Sequence, residues 1–102
     1  MPTYVSLLNF TDQGIRTVTQ TLDRAERFAE LAERYGARLV QAYWTIGPYD
    51  IIVVLEAPDD ESLAAFMLET GSLGNIRSTT LRAYEREEMS GIIERLGPSP
   101  GT

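Results

Sequence analysis

In the segment Asn9-Phe10-Thr11-Asp12-Gln13-Gly14-Ile15-Arg16, two amides, a hydroxyl, a carboxylate and a guanidinium fall within eight residues. A loop held by a rigid scaffold can use such a mixture to orient a small molecule, and a guanidinium presents a planar donor fork to a carboxylate. The same groups can instead cap their own loop, with Thr11 and Asp12 accepting from nearby amides and Arg16 pairing with an acid. Tyr43 and Trp44 are adjacent, so in a strand they point to opposite faces, one under a helix layer and one outward. They can serve as packed core or as an aromatic lining for a flat apolar ligand. Arg77 and Arg82 have an odd spacing and also take opposite faces; one can reach a pocket or an inter-subunit carboxylate such as Glu56, or act as an edge-strand charge that blocks further sheet pairing. Asp59-Asp60-Glu61 begins a helix, where acids belong electrostatically, and neither it nor Glu87-Glu88 has the looped spacing of a cation site. No metal is expected.

The missing residue types narrow the chemistry further. All nine basic residues are arginine, and histidine and cysteine are absent. Imidazole bases, Schiff-base lysines, thiol nucleophiles, disulfides and thiolate metal sites are therefore excluded, and an enzyme would depend on carboxylates, tyrosines, hydroxyls or an external cofactor. No cofactor is expected. The net charge of -6, with arginines interleaved among acids from Asp23 to Arg34, argues against a nucleic-acid partner. The longest apolar run, Ile51 to Leu55, is too short to cross a membrane, and the N-terminus lacks a secretory pattern, so a cytoplasmic location is expected.

The elements that must position these residues read as follows. Residues 3–10 form a strand with Val5 and Leu7 on one face and Tyr4, Leu8 and Phe10 on the other. Residues 11–21 lose periodicity and are expected as a long loop, although such links usually take about 2–6 residues. A helix follows from Leu22 or Asp23 to Tyr35, opened by an Asp23/Glu26 capping box, closed by Gly36, and carrying Asp23–Arg27 and Glu30–Arg34 pairs on its outer face. Residues 38–46 and 49–57 read as hairpin strands turning at Gly47-Pro48. In the first, strict alternation sets Leu39, Tyr43 and Thr45 against Val40, Ala42, Trp44 and Ile46; in the second it sets Ile51, Val53 and Leu55 against Ile52 and Val54. A second helix, capped by Asp59, runs from Asp60 to Thr70 before Gly71; a fourth strand spans Ile76 to Tyr84, and a short helix around Met89, Ile92, Ile93 and Leu96 precedes a disordered tail over 97–102.

This order is β-α-β-β-α-β plus a terminal helix: an α+β, ferredoxin-like sandwich with a four-stranded antiparallel sheet over residues 1–96. Two helices cover one face of such a sheet, yet the readable strands are apolar on both. The second face is expected to be hidden against the same face of another copy, giving a dimeric α/β barrel.

Three segments, LLNFTDQGIR (7–16), YWTIGPYDIIVVLEAPDDES (43–62) and SLGNIRSTTLRAY (72–84), resemble the GYD-domain family in order and spacing. The resemblance spans nearly the whole chain and implies a ferredoxin-like, dimeric α/β-barrel protein, with no activity established for the family as a class. The residues that name the family stand here as Gly47, Tyr49 and Asp50, and their types suit a turn: glycine for its geometry, Asp50 to accept from turn amides, Tyr49 to pack at the hairpin end. Fold kinship extends to ligand-sensing domains of feast/famine regulators and to cofactor-free monooxygenases. Asn9 with Trp44 is similar to an asparagine and tryptophan of the latter, without a residue-by-residue match.

Two functional expectations follow. One is a homo-oligomeric small-molecule-binding or assembly module, with a small apolar or anionic ligand held by Asn9, Thr11, Asp12, Gln13, Arg16, Tyr43, Trp44 and Arg82. The alternative is a cofactor-independent monooxygenase-like enzyme acting on an apolar aromatic substrate oriented by Asn9, Tyr43, Trp44 or Arg82.

Overall fold

The structure, a computed structural model, describes residues 1–98; the part of the expected tail from residue 99 onward lies outside the described residues. Strand β1 (Thr3–Phe10) leads into helix α1 (Asp12–Arg16), a single 3₁₀ turn (Val18–Gln20) and helix α2 (Thr21–Arg34). Strands β2 (Arg38–Trp44) and β3 (Ile51–Glu56), helix α3 (Asp60–Ser72), strand β4 (Ile76–Ala83) and helix α4 (Arg86–Glu94) complete the chain. The four strands lie in the order β2-β3-β1-β4 with every neighbouring pair antiparallel, the ferredoxin-like arrangement.

Alternation along β1 and β3 sends Tyr4, Ser6, Leu8, Ile51, Val53 and Leu55 to one face, where they are buried under the helices. Leu63, Phe66 and Met67 of α3 and Ala32 of α2 complete this core, with the Phe28 and Phe66 rings 4.8 Å apart and tilted. Ser6 is fully buried there, its hydroxyl bonded to that of Thr80 at 2.7 Å, which satisfies both polar groups.

Several local expectations are corrected. Residues 11–21 are not a loop: Thr11 caps α1 by accepting from the Gly14 amide, and the 3₁₀ turn feeds α2 directly. Because the Thr21 N–H already bonds to the Val18 carbonyl, α2 starts at Thr21 without a capping box at Asp23. The hairpin turns over residues 45–50 rather than at Gly47-Pro48 alone, and a bulge between Leu39 and Gln41 places Leu39 on the same face as Ala42 and Trp44. Helix α3 passes through Gly71 to Ser72, and Gly74, at φ 87°, reverses the chain into β4. On α2, the Asp23–Arg27 and Glu30–Arg34 pairs do not close; among the described residues the ion pairs are Arg38–Glu56 and Arg82–Glu88. Exposed helix pairs gain too little to hold two long side chains in one geometry.

Candidate functional site

The fold leaves the face of the sheet opposite the helices uncovered. The ladder sets Val5 between Val54 of β3 and Leu81 of β4, and Leu7 between Ile52 and Thr79. Tyr43 lies beside Ile52 on the outer strand β2. Val5, Leu7, Ile52 and Val54 are only half-buried by one another, while Leu81 and Tyr43 are 50% and 55% exposed. Polar groups rim this patch: at one end Arg38 and Glu56 are cross-strand partners joined at 2.5 Å, and at the other Arg77 is paired with Asn9. An apolar centre with a polar rim is the anatomy of a protein interface.

Helix α4 leaves the same body without packing into it. None of its residues is buried, and Met89 and Ile93 are 47% and 55% exposed. Its first turn is fixed by a reciprocal Glu85–Glu88 capping box and by Arg82, which bonds to Glu88 at 3.0 Å and lies over the rings of Tyr84 (4.5 Å) and Tyr4 (5.7 Å). Glu88 is held below its ordinary pKa by the Glu85 amide and by Arg82, and Arg82 is held above its own by Glu88. Tyr4 donates to Asp60, and burial, reinforced by that carboxylate, pushes its phenol up to about 12.

The residues singled out from the sequence are dispersed over the molecule. Thr11 and Gln13 form a clasp with the α3–β4 turn: the Thr11 hydroxyl donates to the Gly74 carbonyl (2.5 Å), the Thr11 amide to Asn75 O (3.1 Å), and Gln13 Nε2 to Leu73 O (3.1 Å) and Asn75 Oδ1 (3.0 Å). Gly14 is buried beneath this turn so tightly that a Cβ would meet Asn75 O at 1.9 Å. Asp12 and Arg16 are exposed and take no part in the clasp's hydrogen bonds. Asn9 and Tyr43 belong to the open face; Trp44 and Arg82 belong to the helix side on opposite edge strands, with Trp44 Nε1 donating to Thr21 at 3.0 Å. Within the chain Arg82 pairs with Glu88, and Glu56 with Arg38. The structure therefore does not bring these residues into one pocket.

Asp50 joins two strands instead of capping its own turn: its carboxylate accepts from the Phe10 amide (2.9 Å) and its amide donates to Leu8 O (2.9 Å). Thr45 closes the turn through its amide to Asp50 O (2.8 Å) and its hydroxyl to Tyr49 O (2.6 Å), with the exposed Gly47 at φ 150°. The family-naming residues thus secure the end of the sheet that carries the open face.

Sequence reasoning missed a cleft of about 390 Å³ between α2 and α3, lined in part by Arg24, Arg27, Phe28 and Leu31. The signal was present as a stripe at i, i+3, i+4 and i+7, but the arginines read as part of a solvated charged face. Among the described residues no three acidic side chains gather as a metal site requires, and no helix is long and apolar enough to cross a membrane.

Comparison with known proteins places this geometry in a family. Residues 4–93 match the GYD domain, and the chain belongs to the GYD-domain family. A Thermus thermophilus protein named glutamine synthetase and cystathionine beta-lyase binding protein is 37% identical over 97 residues, covering 94% of this chain and 99% of that protein. Among solved structures, MtbAldR superposes with a TM-score of 0.65 at 15% identity, over 83% of this chain and 54% of that one. FFRP-DM1 gives 0.58 at 24% identity, over 82% of this chain and all of the other. TTHA0845, also from Thermus thermophilus, gives 0.53 at 24%, over 84% of this chain and all of the other. At these identities the solved structures are related to the chain through the fold alone.

Proposed function

We propose that the protein is a homodimeric binding module that pairs through the open face of its sheet and, so assembled, docks onto metabolic enzymes. The observation that carries this reading is the uncovered apolar patch of Val5, Leu7, Ile52, Val54 and Leu81 on a sheet whose helices α2 and α3 lie against the other face. Apolar area of that kind on a small domain is stabilising only once it is removed from water, and a twofold partner offers a self-complementary patch. The enzyme-docking part draws on the relative whose name records binding to glutamine synthetase and cystathionine beta-lyase, because that likeness runs end to end in both chains. The dispersal of Asn9, Tyr43, Trp44 and Arg82 over two faces of the sheet gives no support to the monooxygenase-like alternative.

Biolayer interferometry against purified glutamine synthetase and cystathionine beta-lyase from the same organism tests the docking. Saturable binding of the wild type to either enzyme is expected, with Leu81→Arg weakening it through loss of the bivalent, paired form. Absence of binding to both enzymes removes the docking role and leaves the pairing to be judged on its own measurement.

A further inference from the structure

We propose that the cleft between α2 and α3 binds a small carboxylate with an apolar body. It lies on the helix side of the sheet, away from the open face, so the inference does not depend on how the protein pairs. Its volume, about 390 Å³, falls within the usual range for small-molecule sites. Phe28 and Leu31 of α2 form one wall, and Leu73 and Ile76, on either side of the α3–β4 turn, form the other. The charged lining groups, Arg24 and Arg27, are both cations, and Asn75 and Thr70 are the neutral polar ones. No carboxylate lines the cleft, although the chain carries 15 acidic residues against 9 basic ones.

These donors are poised rather than spent. Arg24 is fixed by bonds to Thr17 Oγ1 (2.8 Å) and Gly14 O (3.0 Å), which use two of the five N–H groups of a guanidinium. Arg27, one turn further along α2, makes no hydrogen bond or ion pair among the described residues. Asn75 accepts from Gln13 through Oδ1 (3.0 Å), and its amide nitrogen is engaged in no hydrogen bond among the described residues. Thr70 spends its one hydroxyl proton on Phe66 O at 2.9 Å and so contributes no donor, which leaves anion recognition to the arginines and Asn75. A single-charge planar anion matches the guanidinium fork, and the apolar walls favour hydrocarbon attached to it. The clasp of Thr11, Gln13 and Gly14 onto residues 73–75 thereby acquires a purpose, since it holds both Arg24 and Asn75 in place.

Phenylacetate and its neutral isostere phenylacetamide, titrated separately into isotope-labelled protein and followed by amide NMR, are the probes. Shifts confined to the cleft, at Arg24, Leu31, Leu73 and Ile76, are expected, with the carboxylate binding about tenfold more tightly than the amide. Arg27→Gln, at an exposed and unbonded position, keeps the wild-type spectrum and loses that advantage; Leu73→Glu, which sets a carboxylate at the rim, abolishes phenylacetate binding. Equal affinity for the two probes, an unaltered advantage in Arg27→Gln, or no cleft shifts up to the solubility limit overturns the proposal. Cleft resonances that move on simple dilution of the protein also overturn it, since they assign the cleft to a second copy of the chain.

Discussion

The two faces of the sheet come from the same strands and the same alternation, yet they end differently. Tyr4, Leu8, Val53 and Leu55 on the helix side are 3% exposed or less, whereas their immediate sequence neighbours Val5, Leu7, Ile52 and Val54 remain half-open to solvent. The helix side also carries its own specificity devices: the Ser6–Thr80 hydroxyl pair, the Tyr4–Asp60 bond and the tilted Phe28–Phe66 stack. The open side has hydrophobic side chains of equal quality, with the Arg38–Glu56 ion pair at one end. The difference teaches that an apolar strand need not be a buried one, because the helices of one chain cover only one face of the sheet its strands build.

The largest expected effect is on the covered face. Phe66→Ala removes the fully buried ring that both Phe28 and Tyr35 pack against, and a loss of about 3–5 kcal/mol is expected from a large-to-small change in a core. Chemical denaturation should show this loss to the same extent at every protein concentration, because it lies within one chain. A concentration-dependent loss would mean that the two faces are not separable.

Asp50→Ala acts at the end of the sheet that both faces share. It removes a charge-assisted bond to the Phe10 amide, and about 1.5 kcal/mol is expected in the same denaturation series. Wild-type stability in that variant, together with weakened enzyme binding, would turn the family-naming turn from a structural fastening into a contact site.

A further effect on the covered face is read by pH. The Tyr4 phenol ionises from an ordinary value of 10.0 in the unfolded chain but only at about 12 when folded. Its contribution is therefore complete below the unfolded value and is lost as pH rises through the folded one. Thermal melts across that alkaline interval should fall more steeply for the wild type than for Tyr4→Phe. Equal slopes would remove Tyr4 as the group responsible.

Much of this contrast was legible in the sequence. The alternation of β1 and β3, the Asp59 cap, which accepts from Ser62 at 2.7 Å, and the stop at Gly36 were readable because each is decided by residues close together in the chain. The bulge at Leu39–Gln41 was not, since the extra residue has no distinctive type and only pairing with β3 reveals it. Residues 11–16 looked like a free polar loop because their partners, Leu73, Gly74 and Asn75, lie some sixty positions away. Gly14 carried the one clue to that contact, a glycine where a close backbone approach forbids any side chain. The cleft escaped notice for a related reason: Arg24 and Arg27 alternate with acids along the chain, and only the wound helix separates them from those acids.

Pairing through the open face is the claim on which the account rests, and light scattering coupled to gel filtration of the wild type and Val54→Glu tests it most directly. At micromolar concentration the wild type should have twice the chain mass of 11.4 kDa, and Val54→Glu, with a charge at the centre of the patch, should have the mass of one chain while still melting cooperatively. A wild type that stays at one chain mass, or a Val54→Glu protein that remains double, would contradict it.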